Sequence, residues 1–206
     1  LLANQSLPRK TESDTKALIL SSVYDLLMQP NAGNFTVESL AAHLGMSKKT
    51  IYKYFPSKDR LLVSTILGIS QKEKVEYRRI IKAEQNYSRL FIKLLNYILS
   101  THTGAFEQQV IKYDHLDPQI RESLEQLQTD RNHFLLKMLT TAQLQGIIRE
   151  EIEVRDLSVL ITGMSHQLFK QNEIIKHGIN IRTRQLLLSI LSRGCLTESG
   201  LKAITE

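Results

Sequence analysis

The 206 residues hold one cysteine, Cys195, so no disulfide can close within the chain, and this usage suits a reducing cytoplasm. No apolar run is long enough to span a bilayer, so no membrane partner is expected. The opening Leu1-Leu2-Ala3-Asn4 has no positively charged n-region and does not read as a signal peptide. Six histidines are present, yet none stands at i, i+4 from another and no cysteine pair accompanies them. His115, near Asp114 and Asp117, comes nearest to a carboxylate–histidine site, and a solvated loop explains it better. No metal and no cofactor are therefore expected. Glycine-rich phosphate loops and nucleophile motifs are also missing, which leaves no basis for an enzyme. No stretch alternates apolar and polar residues for long enough to make a sheet, and there are no internal repeats.

Helical periodicity fills the space that these absences leave, so the chain is read as all-α. Its length allows one or two domains and an ample core. The net charge is +6 with a pI near 9.4, which favours a polyanionic partner. Residues 1–60 hold 8 Lys and Arg against 5 Asp and Glu, and the remainder 19 against 16. Charge per residue is thus higher in the short N-terminal part.

The most informative stretch spans residues 36–62. Thr36 is a good N-cap, and Val37, Leu40, Ala41 and Leu44 recur at helical spacing. Gly45 ends that helix where a left-handed residue is needed. Ser47 caps a second short helix with Ile51, Tyr54 and Phe55 inward, and Pro56 closes it. Ser57 caps a third, which opens Lys58-Asp59-Arg60. Two short helices about a tight glycine turn, with a small Ala41 at their approach, form a helix-turn-helix. The second helix carries Lys48, Lys49, Thr50, Tyr52 and Lys53 largely outward. Cations, a hydroxyl and a phenol on one exposed helix suit the major groove of DNA.

The set Thr36-Val37, Leu40-Ala41, Gly45-Met46-Ser47, Thr50-Ile51-Tyr52 and Tyr54-Phe55-Pro56-Ser57-Lys58, followed by Leu61, resembles the DNA-binding signature of the TetR family of transcriptional regulators. The likeness covers about residues 11–62, and the rest is similar to the family in length and helical character. It implies a three-helix DNA-binding head, residues 1–60, joined to a helical effector-binding and dimerisation body, residues 61–206. It further implies a homodimeric repressor of a palindromic double-stranded DNA operator, released by a small-molecule effector. On that resemblance Lys48, Lys49 and Thr50 are candidates for base edges. Thr36, Tyr52, Lys53, Tyr54 and Lys58 are candidates for phosphates, aided by the amides of the helix that starts at Lys58. By the same resemblance Tyr97, His102, Tyr113, His133 and His166, on otherwise apolar body helices, would line an effector pocket.

Along the body, helices are expected over about 59–80, 87–102, 105–113, 118–145, 154–176 and 181–191. Asp117-Pro118 marks one start strongly, as an acidic N-cap before proline at the first helical position. Gly68 is expected to weaken or bend its helix, and the charged segment Gln71 to Lys82 to be solvated. From Gly194 the tail either frays or adds a short helix. The apolar faces of the last two long helices, with Leu160-Ile161, Leu168-Phe169 and Leu186-Leu187-Leu188, are wider than one covered side requires. With the family resemblance they suggest a two-fold seam containing Leu160, Met164, Leu168, Leu187 and Leu191. A reading from another class is an architectural or chromosome-associated DNA-binding protein without an effector, which a cavity-free body would favour.

Overall fold

The Thr11 hydroxyl accepts the Asp14 N–H at 3.1 Å while the Asp14 carboxylate accepts the Thr11 N–H at 3.0 Å, and this reciprocal cap opens α1, Glu12–Leu27. The structure, a computed structural model, describes residues 11–29, 35–100, 103–112, 117–170 and 181–205. After α1 come α2 (Val37–Leu44), α3 (Lys48–Tyr54), α4 (Lys58–Ala83) and α5 (Tyr87–Ser100). Then follow α6 (Thr103–Ile111), α7 (Pro118–Leu144), α8 (Val154–Lys170), α9 (Ile181–Cys195) and α10 (Glu198–Thr205). The chain is all-α. Asp117 caps α7 by accepting the Gln119 N–H at 2.7 Å, with Pro118 in the first turn as expected.

Two apolar cores lie along α4, whose 26 residues reach about 39 Å. The first joins Ile19, Val23 and Leu27 of α1 to Leu40, Ile51 and Phe55 of the head. Leu61, Leu62 and Ile66 of α4 complete it, and it continues into Phe106, Val110, Ile120 and Leu124 of α6 and α7. Residue 60, where the sequence suggests a boundary, therefore falls inside a helix that both parts share. Each fully buried side chain of this kind contributes roughly 1.5–3 kcal/mol. The second core gathers Tyr77, Phe91, Leu95, Leu135, Leu139, Leu157, Ile161 and Leu191.

The expectation of a solvated second half for α4 needs correction. The helix runs unbroken past Gly68, and Glu73 and Tyr77 are buried at 6% and 9% exposure. They continue the inward stripe of Leu62, Ile66 and Ile69 at steps of three and four residues. Arg131 of α7 meets Glu73 there, which is why a carboxylate can be buried.

The tail adds a helix rather than fraying. Thr197 donates its N–H to Ile147 O at 2.9 Å, and Arg149 donates its backbone N–H to Cys195 O at 3.0 Å. The Arg149 side chain donates to Leu196 O and Arg193 O at 3.1 and 2.9 Å. Gly200 passes so close that an added Cβ would lie 2.8 Å from Ile147 O, so only glycine fits.

On the proposed seam the register differs from the expectation. Leu160 is exposed at 59%, as a face awaiting cover would be, with Val159 beside it. Leu191 is instead buried in its own chain's core, and Met164 and Leu187 pack half-buried against that core. Among the described side chains of α9, Leu186 and Ile190 are the exposed large apolar ones. The helix turns 100° per residue, so the face next to the inward one is the one left open. The side chain of Leu168 lies outside the described residues, as do Asp114 and His115.

Candidate nucleic-acid interface

The turn between α2 and α3 is built by local chemistry. The Thr36 hydroxyl accepts the Ser39 N–H at 3.0 Å, and Ser39 Oγ accepts the Thr36 N–H at 3.2 Å, so α2 starts with a reciprocal cap. At its other end Gly45 takes φ +61°, and the Met46 N–H closes onto Ala41 O at 2.9 Å. Ser47 then accepts the Thr50 N–H at 3.0 Å and starts α3. Nothing crowds the position of a Cβ at Gly45, so Gly45→Ala carries only the conformational cost of the left-handed backbone. That cost is expected to be about 1–2 kcal/mol, seen as a lower urea midpoint. An unchanged midpoint would mean that the turn relaxes into another conformation.

Ile51 and Phe55 anchor α3 in the core, and this fixes which residues face outward. Lys48, Lys49, Tyr52 and Lys53 are exposed, while Thr50 and Tyr54 are half-buried. Lys48 meets Glu38 of α2 at 2.6 Å, a pair that holds the carboxyl of Glu38 below its ordinary range. Its charge is therefore partly neutralised at home, a contact across the turn that helical periodicity could not reveal. Lys53 lies 5.8 Å from the centroid of the Tyr54 ring. Lys58 lies 5.6 Å from the centroid of the Phe35 ring, and burial pushes its amine below the ordinary lysine range. Thr36 has its hydroxyl committed to the cap. Lys49, Tyr52 and Lys53 thus form the most available outward face.

A sequence model of the bacterial regulatory proteins of the tetR family matches residues 19–65, the span that runs from α1 through this turn into α4. Residues 19–65 thus match the regulatory domain of the tetR family. Nucleoid occlusion factor SlmA of Salmonella paratyphi B is 27% identical over 161 residues, covering 63% of this chain and 81% of its own. A TetR-family regulator from Agrobacterium tumefaciens superposes with TM-score 0.74 at 13% identity, over 91% of this chain and all of its own. A transcriptional regulator from Saccharomonospora viridis in complex with choline gives 0.72 at 18% identity, with the same coverage. FadR from Bacillus subtilis in complex with stearoyl-CoA gives 0.66 at 16%, over 86% of this chain and 98% of its own.

Two clefts open among the described residues. The larger, about 500 Å³, opens between α1, α4 and α5, and Tyr97 is on its wall. Tyr97 packs edge-on against Tyr77 at 5.4 Å, and Tyr77 stacks on Phe134 at 3.8 Å. Burial and the nearby Glu73 charge push the Tyr97 hydroxyl up to about 12. The smaller cleft, about 270 Å³, is a groove of α4, α5 and α7 that includes Ile81, Tyr87, Phe134 and Lys137. His133 does not join Tyr97. It is exposed on α7, since Phe134 and Leu135 take the inward positions. His102, Tyr113 and the side chain of His166 lie outside the described residues.

What the sequence reading missed is a buried charge cluster beside Tyr97. Arg131 donates Nε and Nη2 to the two oxygens of Glu73 at 2.9 and 2.8 Å, and Nη1 to Glu107 Oε1. Gln128 donates to the other Glu107 oxygen at 2.8 Å. A signal existed, because Arg131 falls on the inward stripe of Ile120, Leu124, Leu127, Leu135 and Met138.

Proposed function

We propose that this chain is a TetR-family regulator, acting in the cytoplasm as a homodimeric repressor that binds a palindromic operator and is released by a small molecule. The observation that carries the DNA-binding part is the basic, aromatic outer face of α3, held at a fixed angle by the capped Gly45 turn. Two such helices in a two-fold dimer would enter successive major grooves about 34–36 Å apart. The exposed apolar residues of α8 and α9 supply a surface for the second copy. Ligand response is supported by the clefts of the body and by structural neighbours that hold choline and stearoyl-CoA. A ligand favouring one spacing of the two heads would change operator affinity by linkage.

An architectural role without an effector has the similarity to SlmA in its favour. A body with two open clefts does not favour it. Footprinting on DNA flanking the protein's own gene would supply the operator.

Titrations on that operator and its single-base variants then separate the two kinds of lysine. Lys49→Ala is expected to erode discrimination at one symmetric position by roughly 1–3 kcal/mol. Lys58→Ala is expected to weaken all sequences alike and to lower the salt slope by about 1 per half-site. A uniform loss for Lys49→Ala would make it a backbone contact. A sequence-selective loss for Lys58→Ala would overturn its phosphate role.

A further inference from the structure

The cleft between α1, α4 and α5 combines three features. Its volume of about 500 Å³ lies within the range of small-molecule sites. Its wall is mostly apolar, with Ala17, Leu20 and Ile69 beside the rings of Tyr24 and Tyr97. Its charge is unbalanced towards the negative. Asp25 and Glu73 line it against one cation, Lys72. Behind Glu73, Arg131 is shared with Glu107, which is 1% exposed, so three carboxylates face two cations around this space.

We propose that this cleft is a binding site for a small amphipathic organic cation, an ammonium with apolar or aromatic arms. The cationic centre lies against the Tyr24 and Tyr97 rings on the Glu73 side, and the arms fill the apolar wall. Each part of the ligand answers to a part of the wall. Aromatic faces attract cations, more strongly when water is excluded. The excess carboxylate charge acts over a short distance in a medium of low dielectric, where it is least screened. Burial first, and then the Glu73 charge, raise the hydroxyl pKa of Tyr24 and Tyr97, while Arg131 acts the other way. An anion of equal size meets the potential of the excess carboxylate charge with the opposite sign. Because α1 belongs to the head and α5 to the body, a ligand here also bears on the angle between them. That regulatory consequence rests on the ligand response proposed above, whereas the site itself does not.

The test uses benzyltriethylammonium as probe and N,N-diethylbenzamide as an uncharged comparator with the same ring and ethyl arms. Calorimetry on the full chain is expected to show the cation binding at least tenfold more tightly than the amide. Gly68→Leu is the blocking variant. A Cβ at Gly68 meets only Leu20 Cδ1, at 3.9 Å, and leucine favours the helix, so the side chain enters the cleft without disturbing α4. It is expected to melt no lower than the wild type and to lose at least tenfold in cation affinity. Equal affinity for cation and amide, no cation binding, or a Gly68→Leu protein that binds like the wild type would each overturn the site. Anisotropy of labelled operator DNA keeps the two proposals apart. Cation binding without any change in operator affinity would uphold the site and overturn the regulatory consequence drawn for it. Operator release by another compound, undiminished in Gly68→Leu, would uphold the response and place it outside this cleft.

Discussion

Arg131→Met is expected to destabilise the protein by roughly 3–5 kcal/mol, because it leaves two buried carboxylates without their shared cation. Glu73 and Glu107 are 6% and 1% exposed, so water cannot replace the guanidinium without local opening. For a chain of this size the loss corresponds to a melting temperature lower by on the order of 10 °C. The triple variant Arg131→Met, Glu73→Gln, Glu107→Gln removes the charges along with their partner and should recover most of the loss. Arg131→Lys should fall between, since an ammonium keeps the charge but cannot make the forked contact with Glu73. Thermal melts at neutral pH decide it. An Arg131→Met protein melting within about two degrees of the wild type would mean that the pair is compensated from elsewhere.

The position of this cluster matters as much as its energy. Glu73 lies on α4, Glu107 on α6 and Arg131 on α7, so one guanidinium ties together three helices between the two cores. Lys74 and Asp130 add a second tie between α4 and α7 at 2.6 Å. Because α4 begins in the core of the DNA-reading head, loosening these ties also loosens what holds the head to the body. The larger cleft shares Glu73 with the cluster, so cleft and joint are one electrostatic unit.

The head was legible in the sequence because its determinants are local. Thr36 and Ser47 cap within three residues, Gly45 needs only its own φ, and Ile51 and Phe55 sit on one short helix. Asp117-Pro118 was legible for the same reason. Long-range facts were not. Glu73 and Arg131 are 58 residues apart, and each sits in a charged stretch that composition alone assigns to solvent. Their place on the apolar stripes of α4 and α7 was the available clue, and it is outweighed when charge is weighed before periodicity. Leu191 turns into its own core for a related reason, while Leu187 is half-buried and its place at the seam stays a proposal. A leucine-rich run shows that a helix has two apolar faces but not which one meets its own core. Packing of α9 against α5 settles that, and puts Leu186 and Ile190 outside.

That register makes the assembly testable with two neighbouring residues. Ile190 is 59% exposed in the single chain, so Ile190→Arg costs the isolated subunit little and should leave its helix content intact. In a dimer joined through α8 and α9 the same change would bury an unpaired charge at the seam, costing several kcal/mol. The expected result is a folded monomer by light scattering. Its operator affinity should fall towards the non-specific level, ~10³-fold or more below the wild type, since one head then binds without the other. Leu160→Arg, on α8, should behave alike. Leu191→Arg is the contrast, because that residue is buried within its own chain and its replacement should lower the melting temperature of the subunit itself. If Ile190→Arg and Leu160→Arg both remain dimeric with full operator affinity, the two copies meet through another surface, and the open apolar faces of α8 and α9 serve some other contact.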